Sequence, residues 1–319
     1  MTATVFVPAD AAALALGAEE VAEAIDREAR RRGDDVSIVR NGSRGLFWLE
    51  PLVEVATPTG RIAYGPVAAG DVATLFDAGL LEGGDHRLRR GRIDDASWLA
   101  RQRRVAMARV GVVDPGSLAD YFAHGGGRGL AHARQMRPGD IVQAITDAGL
   151  RGRGGAAFPA GIKWKTVLDA PAGQKYIVCN ADEGDSGTFA DRMLMEGDPF
   201  SLVEGMAIAG LAVGATRGCI YVRSEYPHAF FRLGAAVASA TDWLRDQSVD
   251  FAIEVRKGAG SYVCGEETAM LESIEGRRGL VRAKPPLPAV AGLFGQPTVI
   301  NNVITLASVP AILADGVAA

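Results

Sequence analysis

Gly149-Leu-Arg-Gly-Arg-Gly-Gly-Ala-Ala-Phe-Pro-Ala-Gly-Ile-Lys-Trp-Lys165 is followed by the β-rich run Lys175-Tyr-Ile-Val-Cys179 and the turn Asn180-Ala-Asp-Glu-Gly-Asp-Ser-Gly187. In the first stretch Gly152, Gly154, Gly155 and Gly161 remove Cβ atoms from a short loop, so backbone N–H groups can approach a ligand closely. Arg151, Arg153, Lys163 and Lys165 surround the loop with positive charge. Backbone donors with cations suit a phosphate. Phe158 and Trp164 offer surfaces for a planar ring. The second stretch reads as a strand ending in a polar turn. Ligands of open α/β sheets bind beyond the carboxyl ends of strands, and Asn180, Asp182, Glu183 and Asp185 there supply acceptors for hydroxyl groups.

The loop is neither G-x-G-x-x-G nor a Walker loop, because no Gly-Lys-Ser/Thr closes it. A flexible surface loop and an RGG-type nucleic-acid segment are the competing readings. The second conflicts with a net charge of −4, from 34 Lys and Arg against 38 Asp and Glu. The acidic turn, read alone, is equally a solvated loop.

Downstream the pattern alternates. Pro199 to Val213 reads as a helix opened by Asp198, with Asp198 or Ser201 as cap and small residues (Gly205, Ala207, Ala209, Gly210) suited to packing on a sheet. Gly218–Arg223 is a strand, Pro227–Arg245 a helix, and Phe251–Arg256 a strand. This βαβαβ order predicts a mostly parallel, Rossmann-like sheet with crossover helices. Ser261 to Thr268 then leads into a helix. Glu266 and Glu267 fall in its first turn, where the macrodipole favours acids without any ligand. Arg282-Ala-Lys-Pro-Pro-Leu-Pro288 reads as the stiff rim of a cleft.

These elements resemble the NADH- and FMN-binding flavoprotein subunit of respiratory complex I and of NAD-linked hydrogenases and formate dehydrogenases. Cys179 to Phe200 is most similar to the β subunit of soluble NAD-dependent formate dehydrogenase, and the resemblance runs from about Ile141 onward. It implies that Gly152, Gly154, Lys163, Asn180, Asp182, Glu183, Gly265, Glu266, Asn301 and Asn302 hold FMN. It likewise implies that Phe158, Asp185, Tyr262, Glu267 and Lys284 contact NAD(H). No side chain is then required as acid or base, Glu183 and Glu267 being the nearest candidates, and no metal ligand is assigned. Thr166 and Leu287 stand where some relatives carry aromatics, and Asp185 is one methylene shorter than the Glu of others.

The resemblance also implies partners: a small [2Fe–2S] subunit and a molybdenum/iron–sulfur catalytic subunit of a formate dehydrogenase complex. In the family a ubiquitin-like domain and a [4Fe–4S] domain follow, so those cluster ligands are expected beyond this chain. A hydrogenase or respiratory module, a flavin-free nicotinamide dehydrogenase and a non-catalytic assembly subunit are the alternatives.

Residues 1–85 read as β-α-β, a hairpin of Leu46–Val55 with Arg61–Tyr64, and a helix near Val72. That order resembles a thioredoxin-like domain, here without cysteine. Residues 86–140 read as a basic linker with helices, facing solvent or an acidic partner, and 141–319 as the FMN/NADH-binding domain. Three scattered cysteines, Cys179, Cys219 and Cys264, argue for reduced thiols in cytoplasm and are too few for a cluster held by four thiolates. A thiol-enzyme reading of Cys264 lacks a neighbouring histidine. No basic segment precedes an apolar stretch near Met1, and no apolar run is long enough to span a bilayer.

Overall fold

The computed structural model describes residues 2–316. The chain divides into two compact units, Met1–Pro115 and Gly116–Ala319.

The first unit contains β1 (Ala3–Phe6), α1 (Ala11–Ala15), α2 (Ala18–Arg32), β2 (Val36–Val39), β3 (Val53–Thr57), β4 (Gly60–Tyr64), α3 (Val72–Asp77), β5 (Arg89–Arg92) and α4 (Ser97–Ala100). Its sheet order is β2-β1-β3-β4-β5, with β1 and β2 parallel and the later pairs antiparallel. The sheet is mixed, with the β-α-β unit followed by a hairpin in the order expected from the sequence. The α2 periodicity places Val21, Ile25 and Ala29 against Val5, Val53 and Val55 in the core.

The hairpin is shorter than expected, because β3 begins only at Val53. Residues 47–49 form a 3-10 turn instead, and Pro51 has no N–H to give a ladder. Glu50 is buried here, accepting from the Ser43 hydroxyl at 2.6 Å and the Leu52 amide at 2.9 Å. Burial pushes its carboxyl up to about 7. Nearby, Arg44 makes a buried two-pronged contact to Glu54, both arms at 2.8 Å. Part of the arginine-rich run forms edge strand β5, where Arg90 donates to the Gly65 carbonyl at 2.7 Å.

The second unit contains α5 (Leu118–Ala123), α6 (Arg128–Ala133), α7 (Pro138–Asp147), α8 (Ala160–Asp169), β6 (Tyr176–Ala181), α9 (Ala190–Gly197), α10 (Pro199–Val213), β7 (Arg217–Val222), α11 (Pro227–Asp246), β8 (Ala252–Lys257), α12 (Glu267–Ile274), α13 (Pro288–Ala291), β9 (Thr298–Asn302) and α14 (Val303–Asp315). The sheet order is β8-β7-β6-β9, all parallel. The chain steps outward from β6 to β8 and then returns to the other side of β6. The order therefore reverses between β6 and β9, the crevice where such sheets bind ligands.

One sheet face packs on α12 through Val178, Tyr221, Met270, Leu271 and Ile300. The helix α10 is buried at every residue except Leu211. Its glycines serve different neighbours from those expected. A Cβ on Gly205 would lie 2.0 Å from the Leu306 carbonyl of α14, and one on Gly210 would lie 2.7 Å from the Phe251 ring. The close approach at Gly205 is thus to a helix, not to the sheet. Asp198 is the N-cap residue by position but makes no side-chain cap bond, and the Ser201 hydroxyl donates to its carbonyl at 2.8 Å. Among the described residues no helix is long and apolar enough to cross a membrane.

Candidate functional site

A cavity of about 520 Å³ opens at the carboxyl ends of β6 and β9. The β6–β9 register sets Asn180 beside Asn302 and Cys179 beside Asn301, so the strand ends deliver three amides together. The glycine loop forms a second wall. It is pinched at its base by a Gly152 N–H to Phe158 carbonyl bond of 2.9 Å and by the Arg151–Pro159 bridge. The Arg153 N–H donates to Thr305 Oγ1 at 2.9 Å, tying the loop to α14. A Cβ at Gly154 would lie 3.3 Å from Asn302 Cβ, so glycine brings the backbone against the strand end. Gly155 holds φ +104°, which its lack of a side chain permits. Residues 153–156 form a turn, and Gly152, Gly154, Ala156 and Ala157 line the cavity, so the turn presents its backbone to an anion.

Of the fifteen sequence-predicted residues, the cavity gathers Gly152, Gly154, Phe158, Lys163, Asn180, Gly265, Glu266, Glu267, Lys284, Asn301 and Asn302. Phe158, Ile162 and Leu287 are half-exposed apolar groups at its rim. Ile162 and the backbone run Ala156–Ala157 were not singled out in the sequence, which carries no local signal that they face a ligand.

Lys163 and Lys284 are the lysines that line the cavity, and Lys163 lies nearer the strand ends. Its Nζ donates to the Ile300 carbonyl at 2.6 Å and has further N–H donors to offer. Burial lowers its pKa, with Glu267 opposing and Lys284 adding to the shift. Of the other cations of the loop region, Lys165 pairs with Asp169, and Arg151 donates to the Ala157 carbonyl at 3.2 Å. Trp164 is fully buried, so it cannot stack on a ligand ring; its indole donates to Asn301 Oδ1 at 2.8 Å. The spacing of α8 turns Trp164 inward and Lys163 toward the cavity.

At the mouth Lys284 bridges Glu266 at 3.1 Å and Glu267 at 2.8 Å. Burial acts to lower the Lys284 pKa, but its bonds to Glu267 and Glu266 outweigh it and the net shift is upward. Glu266 caps α12, accepting from the Thr268 and Ala269 amides at 2.8 Å each. Burial acts to raise its pKa, yet these bonds and Lys284 hold it below the usual carboxylate range. Asn302 caps α14 through Oδ1, at 2.9 Å from the Ile304 amide, and its Nδ2 donates to Asp191 at 2.5 Å. Burial pushes the Asp191 carboxyl up to about 7, with Glu183 adding to the effect.

Asp182, Glu183, Asp185 and Tyr262 do not line this cavity. Glu183, at φ +40°, caps α9 by accepting from the Asp191 amide at 2.7 Å and the Arg192 amide at 3.1 Å. Tyr262 is exposed and donates to Asp185 at 3.2 Å. Asp182 lies below Gly265, whose Cβ would fall 3.0 Å from its carboxylate, and burial raises its pKa to about 6. Asn180 joins the two groups by donating to the Gly265 carbonyl at 2.9 Å. Cys264 is buried against Met270 and Tyr221, closed to a substrate.

These groups fit a flavin mononucleotide. The glycine-loop backbone and a half-buried ammonium suit its phosphate, and a half-apolar crevice suits its ring.

The comparisons agree with that chemistry. The sequence profile of the Nuo51 FMN-binding domain matches residues 145–311, a little over half of the 319-residue chain. The NADP-reducing hydrogenase subunit HndC of Solidesulfovibrio fructosivorans is 50% identical over 222 residues, covering 68% of this chain and 45% of that protein. An NADH-quinone oxidoreductase subunit of Rhizobium meliloti (strain 1021) is 48% identical over 219 residues, covering 66% of this chain and 52% of that one. The crystal structure of an NAD+-reducing [NiFe]-hydrogenase in the H2-reduced state superposes with a TM-score of 0.59 at 29% identity, over 99% of this chain and 53% of that chain. The chain thus spans about half the length of the curated relatives it matches. With a matching profile over the same residues that build the cavity, the chain belongs to the family of the Nuo51 FMN-binding domain.

Proposed function

We propose that the chain is the FMN-dependent NAD(H) oxidoreductase, or diaphorase, module of a multisubunit NAD-dependent formate dehydrogenase working in the cytoplasm. The observation that carries this reading is the convergence of the glycine loop, Lys163 and the β6 and β9 ends on one cavity at the strand-order reversal. When bound, the flavin exchanges a hydride with a nicotinamide and passes electrons on singly.

The residues of the chain bind and orient. The loop amides from Gly154 and the Lys163 ammonium hold the phosphate. Asn180, Asn301 and Asn302, with the Gly265–Glu266 backbone, frame the rest of the flavin. Phe158, Glu267 and Lys284 at the mouth receive the dinucleotide, with Asp185 and Tyr262 as the outer contacts. Asp182 and Glu183 act from beneath, through Gly265 and the start of α9. Catalysis then rests on proximity and a preorganised polar surround rather than on a side-chain acid or base.

The partners proposed are the small [2Fe–2S] subunit and the molybdenum/iron–sulfur catalytic subunit, with [4Fe–4S] ligands outside this chain. The Cys179–Phe200 wording supports formate dehydrogenase, while the names of the relatives support a hydrogenase or complex I module equally. Titration of the purified chain with FMN, followed by NADH reduction and reoxidation by ferricyanide, tests the chemistry. Folded protein that stays colourless with excess FMN would overturn it. Purifying the native complex and asking whether formate or hydrogen reduces NAD+ decides between the donors.

A further inference from the structure

The adjacent amides of β9 are committed in opposite ways. Asn302 uses both ends on the protein, its Oδ1 on the α14 amides and its Nδ2 on Asp191. Asn301 uses only its oxygen, which accepts from Trp164 Nε1 at 2.8 Å. An indole N–H can only donate, so the amide atom facing it must be oxygen. The orientation of this amide is therefore chemically determined. Trp164 is fully buried on α8 and has no freedom to follow a flipped amide. The Nδ2 end is left over. Among the described residues it has no protein partner, it is not one of the fully enclosed unpaired atoms, and Asn301 lines the cavity.

We propose that Trp164 is a positioning residue that locks the Asn301 amide with its NH2 group toward the cavity, as a fixed donor reading an acceptor atom of the bound flavin nucleotide. The inference rests on the flavin reading above. Without the indole, the amide is free to turn its oxygen inward and meet an acceptor with an acceptor. Trp164 touches the ligand only through Asn301, so its effect disappears when that amide is absent.

The test titrates the 319-residue chain with FMN, following quenching of flavin fluorescence, in the parent, Trp164→Phe, Asn301→Ala and the double variant. Trp164→Phe is expected to weaken FMN about tenfold, the scale of one well-placed hydrogen bond. In the Asn301→Ala background the same change is expected to alter Kd less than about twofold. Equal losses in both backgrounds would mean that Trp164 only fills space, and no loss in either would mean that the amide needs no lock; both overturn the proposal.

Should Trp164→Phe melt too low to assay, Asn301→Asp carries the same question. Its second oxygen replaces the donor, so FMN is expected to bind about tenfold or more weakly near pH 8. The ratio of its Kd to that of the parent is expected to shrink toward about pH 5, as the carboxyl gains a proton it can donate. A ratio constant with pH overturns the proposal. If the parent itself binds no FMN, the flavin reading falls first.

Discussion

The Asp191 carboxyl sits 2.5 Å from the Asn302 amide nitrogen, so a buried acid lies directly behind a residue that lines the cavity. Its carboxyl stays protonated to about pH 7 in the fold because of burial, against an ordinary value of 3.8. Between those values the unfolded chain releases a proton that the folded chain keeps. Stability therefore falls as pH rises through this window and levels off above about 7. Asp191→Asn is expected to remove part of that slope, gaining on the order of 2 kcal/mol over the parent at pH 8 relative to pH 4. Urea unfolding at both pH values checks it; an equal difference at the two overturns the assignment.

Lys163→Ala is expected to weaken FMN by about tenfold or more, because one half-buried charged partner of an anion is lost. Riboflavin, which lacks the phosphate, should bind parent and variant alike. A parallel loss for both ligands would move Lys163 from the phosphate to the ring. The melting temperature should change little, since Lys163 gives up one bond to the Ile300 carbonyl.

Lys284→Ala is expected to raise the KM for NADH several-fold while leaving FMN affinity within about twofold. The residue bridges Glu266 and Glu267 at the mouth. Steady-state kinetics on FMN-loaded protein separates the two effects. A change confined to FMN binding would place the lysine deeper in the site.

Glu204 is fully buried on α10, accepting from Tyr121 Oη at 2.5 Å and from the Gly127 and Leu130 amides at 2.7 and 2.8 Å. It holds the start of α6 in place. Removing it leaves three donors without a partner, so Glu204→Ala should cost about 3–5 kcal/mol. Glu204→Gln keeps two acceptor lone pairs and should cost about 1–2 kcal/mol. Denaturant titration gives both values, and equal costs would rule out the hydrogen-bonding explanation.

Gly205→Ala is expected to destabilise by more than about 3 kcal/mol, beyond the usual range for overpacking. The added methyl meets the Leu306 backbone carbonyl at 2.0 Å, and backbone cannot rotate away. Gly234→Ala on α11, where a Cβ meets nothing within 4 Å, is the matched control and should be neutral or mildly stabilising. Thermal melts of the two variants beside the parent give the comparison.

Much of this was readable from the chain alone, for reasons that differ by residue. The α2 helix announced itself by period, because only one face is buried. The β6 strand was legible as an apolar run before a polar turn. The β9 strand was not, because it ends in two asparagines, and strand ends that serve a site carry polar residues where a pattern expects Val or Ile. The α9 helix begins after Phe189 at φ +52°, a left-handed entry no propensity suggests. Trp164 and Phe158 looked alike in the sequence; only the start of α8 at Ala160 decides that one is core and the other rim. Asp191 sat unnoticed in the motif, since nothing local tells that Asn302 will arrive beside it.

The last strand to be synthesised in the described fold, β9, inserts next to the first strand of its sheet, β6. Asn301 and Asn302 therefore reach the crevice only after the whole crossover region has emerged from the ribosome. A nascent chain stalled anywhere between Ala181 and Thr298 has a glycine loop but no opposite wall. Flavin loading of this domain accordingly waits for β9, and a truncation before β9 should leave the apoprotein unable to retain its cofactor.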